Sequence, residues 1–313
     1  MSAVGADLLR QQAEYWRETL ADAPEPLDLP ADRPRPAQPD PAGAAVTLGL
    51  DEAVAAELGA LASRHGAHVS TVLLAGWAVV LGRLSGQTDL VIGTSIGFVN
   101  PLPVRVDLSG SPTAAELLGR VTARVRGALR NQALPLQRVV ELVLPDGAAA
   151  SATAPFRAAF AWRDASGSAD LTGLQIDVAA VEPRSTAGLD LSLELREEGS
   201  GVAGEVVFAT ALFDRETVER YAGYLRRMLE GVAADETRRV DRLPLLSDEE
   251  RRRVVEEWNR TEAPYPAESY IHERFEAQAG RTPEAVAVVY EDRELTYGEL
   301  NARANRLAHH LRG

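Results

Sequence analysis

Apolar positions recur at helical spacing from Asp7 to Leu20, with Leu8, Leu9, Tyr15, Trp16 and Leu20 on one stripe. The pattern stops at a proline-rich stretch, Ala23–Pro41, which predicts a helix followed by an extended strap. Val46–Leu50 alternates as a strand does, and Asp51 offers a cap for a helix running to about His65. Ser70 offers a cap for a second helix ending near Gly86. In that helix Val69–Leu81 is an almost unbroken apolar run, too short for a bilayer span, so it predicts a core helix covered on every side.

Leu90–Thr94 and Val104–Leu108 are apolar, β-branched runs suited to buried strands, and Ser111-Pro-Thr opens a long amphipathic helix to about Arg130. Strand patterns follow at Ala158–Trp162, Leu174–Val178, Leu189–Leu195 and Gly204–Ala209, and Asp214 then caps a helix to about Gly231. Helices and strands interleaved without strict alternation predict an α/β layer on a mixed sheet. Near Arg238 the character changes. Arg239–Leu246, a charged helix from Ser247 to Trp258 and the proline-bearing Asn259–Pro266 form a linker pattern. Beyond it come a helix at Ile271–Ala279, a hairpin of Ala285–Tyr290 and Glu294–Thr296 across Glu291-Asp-Arg, and a helix over Tyr297–Leu311.

Composition narrows the chemistry. A length of 313 residues suits about two domains, and 45% hydrophobic content is that of a globular chain. A net charge of −13 argues against nucleic acid and anionic membrane as partners. There is no cysteine, which removes disulfides, thiolate metal sites and cysteine nucleophiles. All 33 basic residues are arginine; whether or not this reflects a GC-rich genome, it excludes a P-loop lysine and a Schiff-base lysine. Met1–Leu20 lacks the apolar region of a signal peptide, so the expected location is the cytoplasm.

Several segments together resemble a non-ribosomal peptide synthetase. Tyr15-Trp16 and Leu27-Asp-Leu-Pro-Ala-Asp-Arg-Pro-Arg-Pro36 are similar to the middle of its condensation domain. They are followed in order by Ser70–Leu84, Gly86-Gln-Thr-Asp-Leu-Val-Ile-Gly-Thr94, Ile96-Gly-Phe-Val-Asn100 with Arg105, and Leu212-Phe-Asp214. Leu243-Pro-Leu-Leu-Ser247 with Trp258-Asn259 is similar to the family's linker. His272-Glu-Arg-Phe275, Arg281-Thr-Pro283 and Leu295-Thr-Tyr-Gly-Glu-Leu-Asn301 resemble the opening of its adenylation domain.

The resemblance implies a chloramphenicol-acetyltransferase-like lobe over residues 1–240, a linker over 241–267 and the start of an α/β adenylation (AMP-binding) domain over 268–313. In this family two such lobes flank a channel, and a His-His-x-x-x-Asp-Gly motif on the N-terminal lobe assists attack of a carrier-bound amine on a carrier-bound thioester. An attacking amine must shed a proton, and a group titrating near neutrality suits that task. The motif is missing here, so the chain is expected to be a fragment without its N-terminal catalytic lobe. Its histidines are His65, His68, His272, His309 and His310. His65-Gly-Ala-His68 has the wrong spacing and sits at a turn between helices, so no catalytic and no metal residue is expected.

By the resemblance, channel-lining candidates are Gly97, Phe98, Asn100, Arg105, Asn131 and Gln132. Asn100 also suits a role satisfying backbone groups, and Arg105 a role pairing with a carboxylate. Three stretches depart from the family. Ser95-Ile96 alone joins Thr94 to Gly97 where relatives carry about a dozen further residues. Ala133 and Gln137 replace acidic residues, and Ala152-Thr-Ala-Pro-Phe156 stands where an arginine-rich motif is usual. No phosphate-binding loop and no Gly-Gly-x-Ser carrier site is present, so phosphopantetheine is implied only on partner carrier proteins. The expected partners are the N-terminal condensation lobe, peptidyl carrier proteins and the rest of an adenylation domain. Competing readings are a non-catalytic interaction module or gene remnant, and a free-standing acyltransferase of the same superfamily.

Overall fold

Helix α3 (Val69–Ser85) is buried from Ser70 through Gly82 without a break, and the other elements of its unit are arranged to cover it. The computed structural model describes residues 3–38, 40–96, 101–143, 156–163, 184–186, 188–263 and 270–313. These fall into two compact units, Met1–Arg251 and Arg252–Gly313.

In the first unit the chain forms α1 (Ala3–Thr19), β1 (Ala42–Leu50), α2 (Glu52–Arg64), α3, β2 (Asp89–Ile96), β3 (Leu102–Asp107), α4 (Ala114–Arg130) and α5 (Leu136–Val143). It continues with β4 (Ala158–Arg163), β5 (Arg184–Ser185), β6 (Leu191–Glu198), β7 (Gly201–Ala209) and α6 (Arg215–Ala234), then a 3-10 turn at Val240–Arg242 and α7 (Asp248–Arg252). The strands form one seven-stranded sheet in the order β3-β2-β4-β6-β7-β1-β5. β2, β4 and β6 run parallel, and the remaining pairs are antiparallel, so the sheet is mixed as expected. Pro103 sits in β3, an end strand, where a missing ladder donor does least harm.

Alternation along β4 and β6 sets the layer. Ala158, Phe160 and Trp162, with Leu191, Leu193 and Leu195, are buried, while the residues between them are half-buried. α3 packs on α2, α4, α6 and β2, and the Trp77 indole donates to the Ala159 carbonyl at 3.2 Å. α3 ends at Gly86, whose φ of 73° is the left-handed conformation that glycine adopts without strain.

The helices start in three different ways. α4 starts where the Ser-Pro-Thr signal suggested, and it carries a full capping box between Thr113 and Glu116. For α3 the cap is His68 and not Ser70: the ring Nδ1 accepts from the Ser70 N–H, and Ser70 is buried inside the first turn. Asp51 and Asp214 hold the cap positions of α2 and α6, but neither side chain makes the capping bond. At α6 the strap adds bonds of its own to the helix start. Asp32 accepts from the Asp214 N–H at 2.8 Å and from the Thr217 hydroxyl at 2.9 Å. The Asp214 N–H, with help from Thr217, holds the Asp32 carboxyl below its usual range.

Residues 23–38 have no regular structure and cross the N-terminal ends of the three parallel strands. Gln87, before β2, bonds Glu25 and Asp28; Arg157, before β4, donates to the Leu27 carbonyl; Asp190, buried before β6, pairs with Arg35. Tyr221 of α6 donates its hydroxyl to the Pro30 carbonyl at 3.0 Å, and burial pushes its pKa up to about 12.

The second unit begins with a π-helical turn, Arg253–Glu257, and holds α8 (Ile271–Arg281), β8 (Val286–Tyr290), β9 (Arg293–Thr296) and α9 (Tyr297–Arg312). β8 and β9 form the expected hairpin, and α9 starts with a Thr296–Glu299 capping box. The predicted strand Leu174–Val178 lies outside the described residues. α5 and the two-residue β5 have no counterpart in the sequence pattern. No single helix among the described residues is long and apolar enough to cross a membrane.

Two outcomes test this architecture. A Cβ at Gly204 would stand 1.9 Å from the Glu194 carbonyl oxygen on the paired strand, a backbone atom that cannot swing aside. Gly204→Ala is therefore expected to destabilise the unit by about 2–4 kcal/mol in urea unfolding. For Asp32 the folded pKa lies below the ordinary 3.8, so its contribution is present above the unfolded value and is lost as pH falls through the folded one. The stability gap between the native chain and Asp32→Asn should be full above about pH 5 and shrink on acidification below about pH 4.

Candidate functional site

Because β2, β4 and β6 run parallel, their C-terminal ends share one side of the sheet, opposite the strap. Crevices beyond the carboxyl ends of parallel strands are the usual binding position in open α/β sheets. Ile96 stands in register with Trp162 there. The α3 N-terminus reaches the same side, and the His68 ring meets Trp162 edge-on, with centroids 5.9 Å apart and planes at 72°. Gly97, Phe98 and Asn100 follow directly after β2, but they lie outside the described residues.

Between β4, β6 and β7, Arg163, Glu194, Leu195, Arg196, Gly204 and Glu205 line an open depression of about 280 Å³. The register places Glu194 opposite Glu205, and Arg163 beside Arg196. Arg163 pairs diagonally with Glu194 at 3.4 Å, and Arg196 with Glu198 at 3.3 Å. The arrangement balances charge and gives a mixed polar surface, without the concentrated sign that would select an anion or a cation.

The remaining candidates do other work. Arg105 of β3 binds Asp89 of β2 through Nε, at 3.0 Å to both oxygens, and through Nη2 at 2.7 Å. Its other donors reach the Thr19, Ala21 and Asp22 carbonyls at 3.3, 2.7 and 3.2 Å. A guanidinium has five N–H groups, and this pattern engages every one, so none remains for a substrate. The bond to Asp89 raises the guanidinium pKa further. Arg105 thus anchors the end of α1 to the sheet edge. Asn131 closes α4: its amide donates to the Gly127 carbonyl at 2.9 Å, and its own carbonyl accepts from the Trp16 indole at 3.0 Å. Gln132 is exposed in the following turn.

The histidines are similarly engaged. His65 ends α2 and bonds Glu236 at 3.1 Å, and Arg64 binds the same oxygen. The His65 bond, then that of Arg64, lowers the Glu236 pKa. In His68 the ring Nδ1 faces the Ser70 N–H at 3.3 Å and the Ser70 hydroxyl at 2.8 Å. His272 stacks on Tyr270 with centroids 5.5 Å apart. His309 and His310 are exposed near the end of α9. No group of three or more His, Cys, Asp or Glu side chains converges as a metal site among the described residues.

Sequence reasoning missed two contributors to this region. Trp162 read only as a strand residue, and its cross-strand partner appears only once β2 and β4 are paired. His68 read as a turn residue; its Nδ1 as a cap acceptor for a following N–H was the available signal.

Comparison with known proteins matches the Condensation domain family to residues 2–255 and the AMP-binding enzyme family to residues 275–313. Malpinin synthetase of Mortierella alpina is 42% identical over 322 residues, covering 98% of this chain and 4% of that protein. A linear gramicidin synthase chain of Brevibacillus parabrevis is 37% identical over 321 residues, covering 98% and 6%. Among solved structures, the X-domain from teicoplanin biosynthesis superposes with a TM-score of 0.69 at 32% identity, covering 76% of this chain and 57% of that one. The four-domain nonribosomal peptide synthetase holo-AB3403 gives 0.77 across 96% of this chain and 25% of that one, and at 23% identity it speaks for the fold alone. The chain spans a small part of these synthetases. With one family match over most of its length and a second following in synthetase order, it belongs to the condensation-domain family of non-ribosomal peptide synthetases and runs on into the start of an AMP-binding domain.

Proposed function

We propose that this chain is the C-terminal lobe of a condensation domain, which in a complete synthetase forms peptide bonds between carrier-bound acyl and aminoacyl groups. The observation that carries this reading is the collinear match to synthetases across 98% of the chain. In the reaction, the amine nitrogen attacks the thioester carbonyl, a C–N bond forms, the C–S bond breaks, and the amine's proton leaves with the thiol. The proton-handling histidine would come from the N-terminal lobe, since His65 and His68 are tied into helix ends.

This lobe would supply one channel wall, built where β2 and β4 end and continued by Gly97, Phe98 and Asn100. Phosphopantetheine would enter on carrier proteins as the substrate's tether. Residues 1–240, 241–267 and 268–313 would be lobe, linker and adenylation start, and the adenylation domain's remainder would be the partner of the last. The cytoplasm is the matching location.

The test is turnover with loaded carrier proteins. The purified chain alone is expected to yield no peptide above a no-enzyme control. With a matching N-terminal lobe supplied in trans, complex formation at micromolar concentration and slow, lobe-dependent product are expected. The shortened Thr94–Gly97 connection is the reason the product should be slow. Turnover by the chain alone that disappears in His65→Ala or His68→Ala would overturn the proposal. Binding of the lobe with no product at any concentration would favour a module that only holds partners.

A further inference from the structure

The segment leaving the first unit is gripped up to Glu250, and residues 251–263 beyond it are exposed. Arg83 of α3 donates to the Leu243 carbonyl, and Arg227 of α6 donates to the Leu245 carbonyl at 2.5 Å. Arg227 also pairs with Glu250 at 3.1 Å, while the Glu250 carboxylate accepts from the Ser247 N–H and hydroxyl, both at 2.8 Å. One carboxylate therefore caps α7 and fastens it to α6.

Beyond Arg252 the helix widens into the π-turn Arg253–Glu257. The Trp258 N–H bonds the Arg253 carbonyl, five residues back, at 2.9 Å. Arg252 and Glu257, also five apart, are brought together at 3.3 Å. Asn259 turns its amide back onto the Val254 and Val255 carbonyls, at 3.0 and 2.9 Å. The apolar side chains of this turn are left in the open: Val254, Val255 and Trp258 are 41%, 50% and 68% exposed. A π-turn is an α-helix with one residue too many, and burial of these side chains is not what forces the extra residue in.

We infer that the π-turn Arg253–Glu257 is a joint: Leu243–Glu250 moves as part of the condensation lobe, and the chain changes direction at the surplus residue, with Asn259 as its stop. A turn with no buried residue opens at far lower cost than the buried helices it leaves. This holds whether or not the lobe is catalytic.

The chain's lack of cysteine allows direct measurement. Spin labels at Glu219→Cys on α6 and Arg260→Cys just past the turn report its direction, and the pair Glu219→Cys and Arg242→Cys is the control inside the lobe. The control distance distribution should be narrow and the 219–260 distribution clearly broader. Deleting Val255 removes the surplus residue, rotates the downstream chain by about 100° and should shift and narrow the 219–260 distribution. Asn259→Ala should broaden it and leave the control untouched. In hydrogen exchange the Trp258 amide should exchange at least about tenfold faster than the Arg251 amide, which bonds Ser247. A 219–260 distribution as narrow as the control, or one unchanged by deleting Val255, would overturn the inference.

Discussion

The need to cover α3 organises the lobe. A helix apolar on all sides has no face to offer water, so sheet, α2, α4 and α6 must each supply part of its wall. Burying a large apolar side chain stabilises by about 1.5–3 kcal/mol, and Leu73, Leu74, Trp77 and Leu81 are all fully covered. The one polar atom that Trp77 brings inside is satisfied by Ala159, which ties the helix to a fixed point on β4. Once α3 is fixed against β2 and β4, its N-terminus and the ends of the parallel strands necessarily meet on one side.

That geometry gives the sheet two unlike ends. The strap occupies one, engaging Gln87, Arg157 and Asp190 at the strand starts. The other carries His68, Trp162 and the charged depression of β4, β6 and β7.

The long periodic elements were legible because each depends on its own sequence: the α3 run, the α4 start at Ser111-Pro-Thr and the hairpin around Glu291 all appear where expected. Misreadings came where long-range partners decide. Asp214 does hold the α6 cap position, but the side chain that bonds this helix start is Asp32, far away in sequence. α5 is a single short helix of eight residues, below the length at which periodicity speaks, and is held by packing against α1. Arg105 could be read as wall or as anchor, and only the three carbonyls around it decide for anchor. Asn131 is committed to a helix end, a role that no motif announces.

The strap also sets a timetable. Asp32 and the α6 N-terminus that it caps are 182 residues apart. At ribosomal rates of about 5–20 residues per second, the strap emerges roughly 10–35 s before its dock exists. During that interval Pro30 and Asp32 lack their α6 partners, and the apolar α3 must be shielded by an incomplete layer. The prolines at 24, 26, 30, 34 and 36 keep the waiting strap extended and poor in backbone donors, so it has little with which to pair wrongly. The strap's hold on α6 thus forms only after that helix is made, which makes it a late lock on folding.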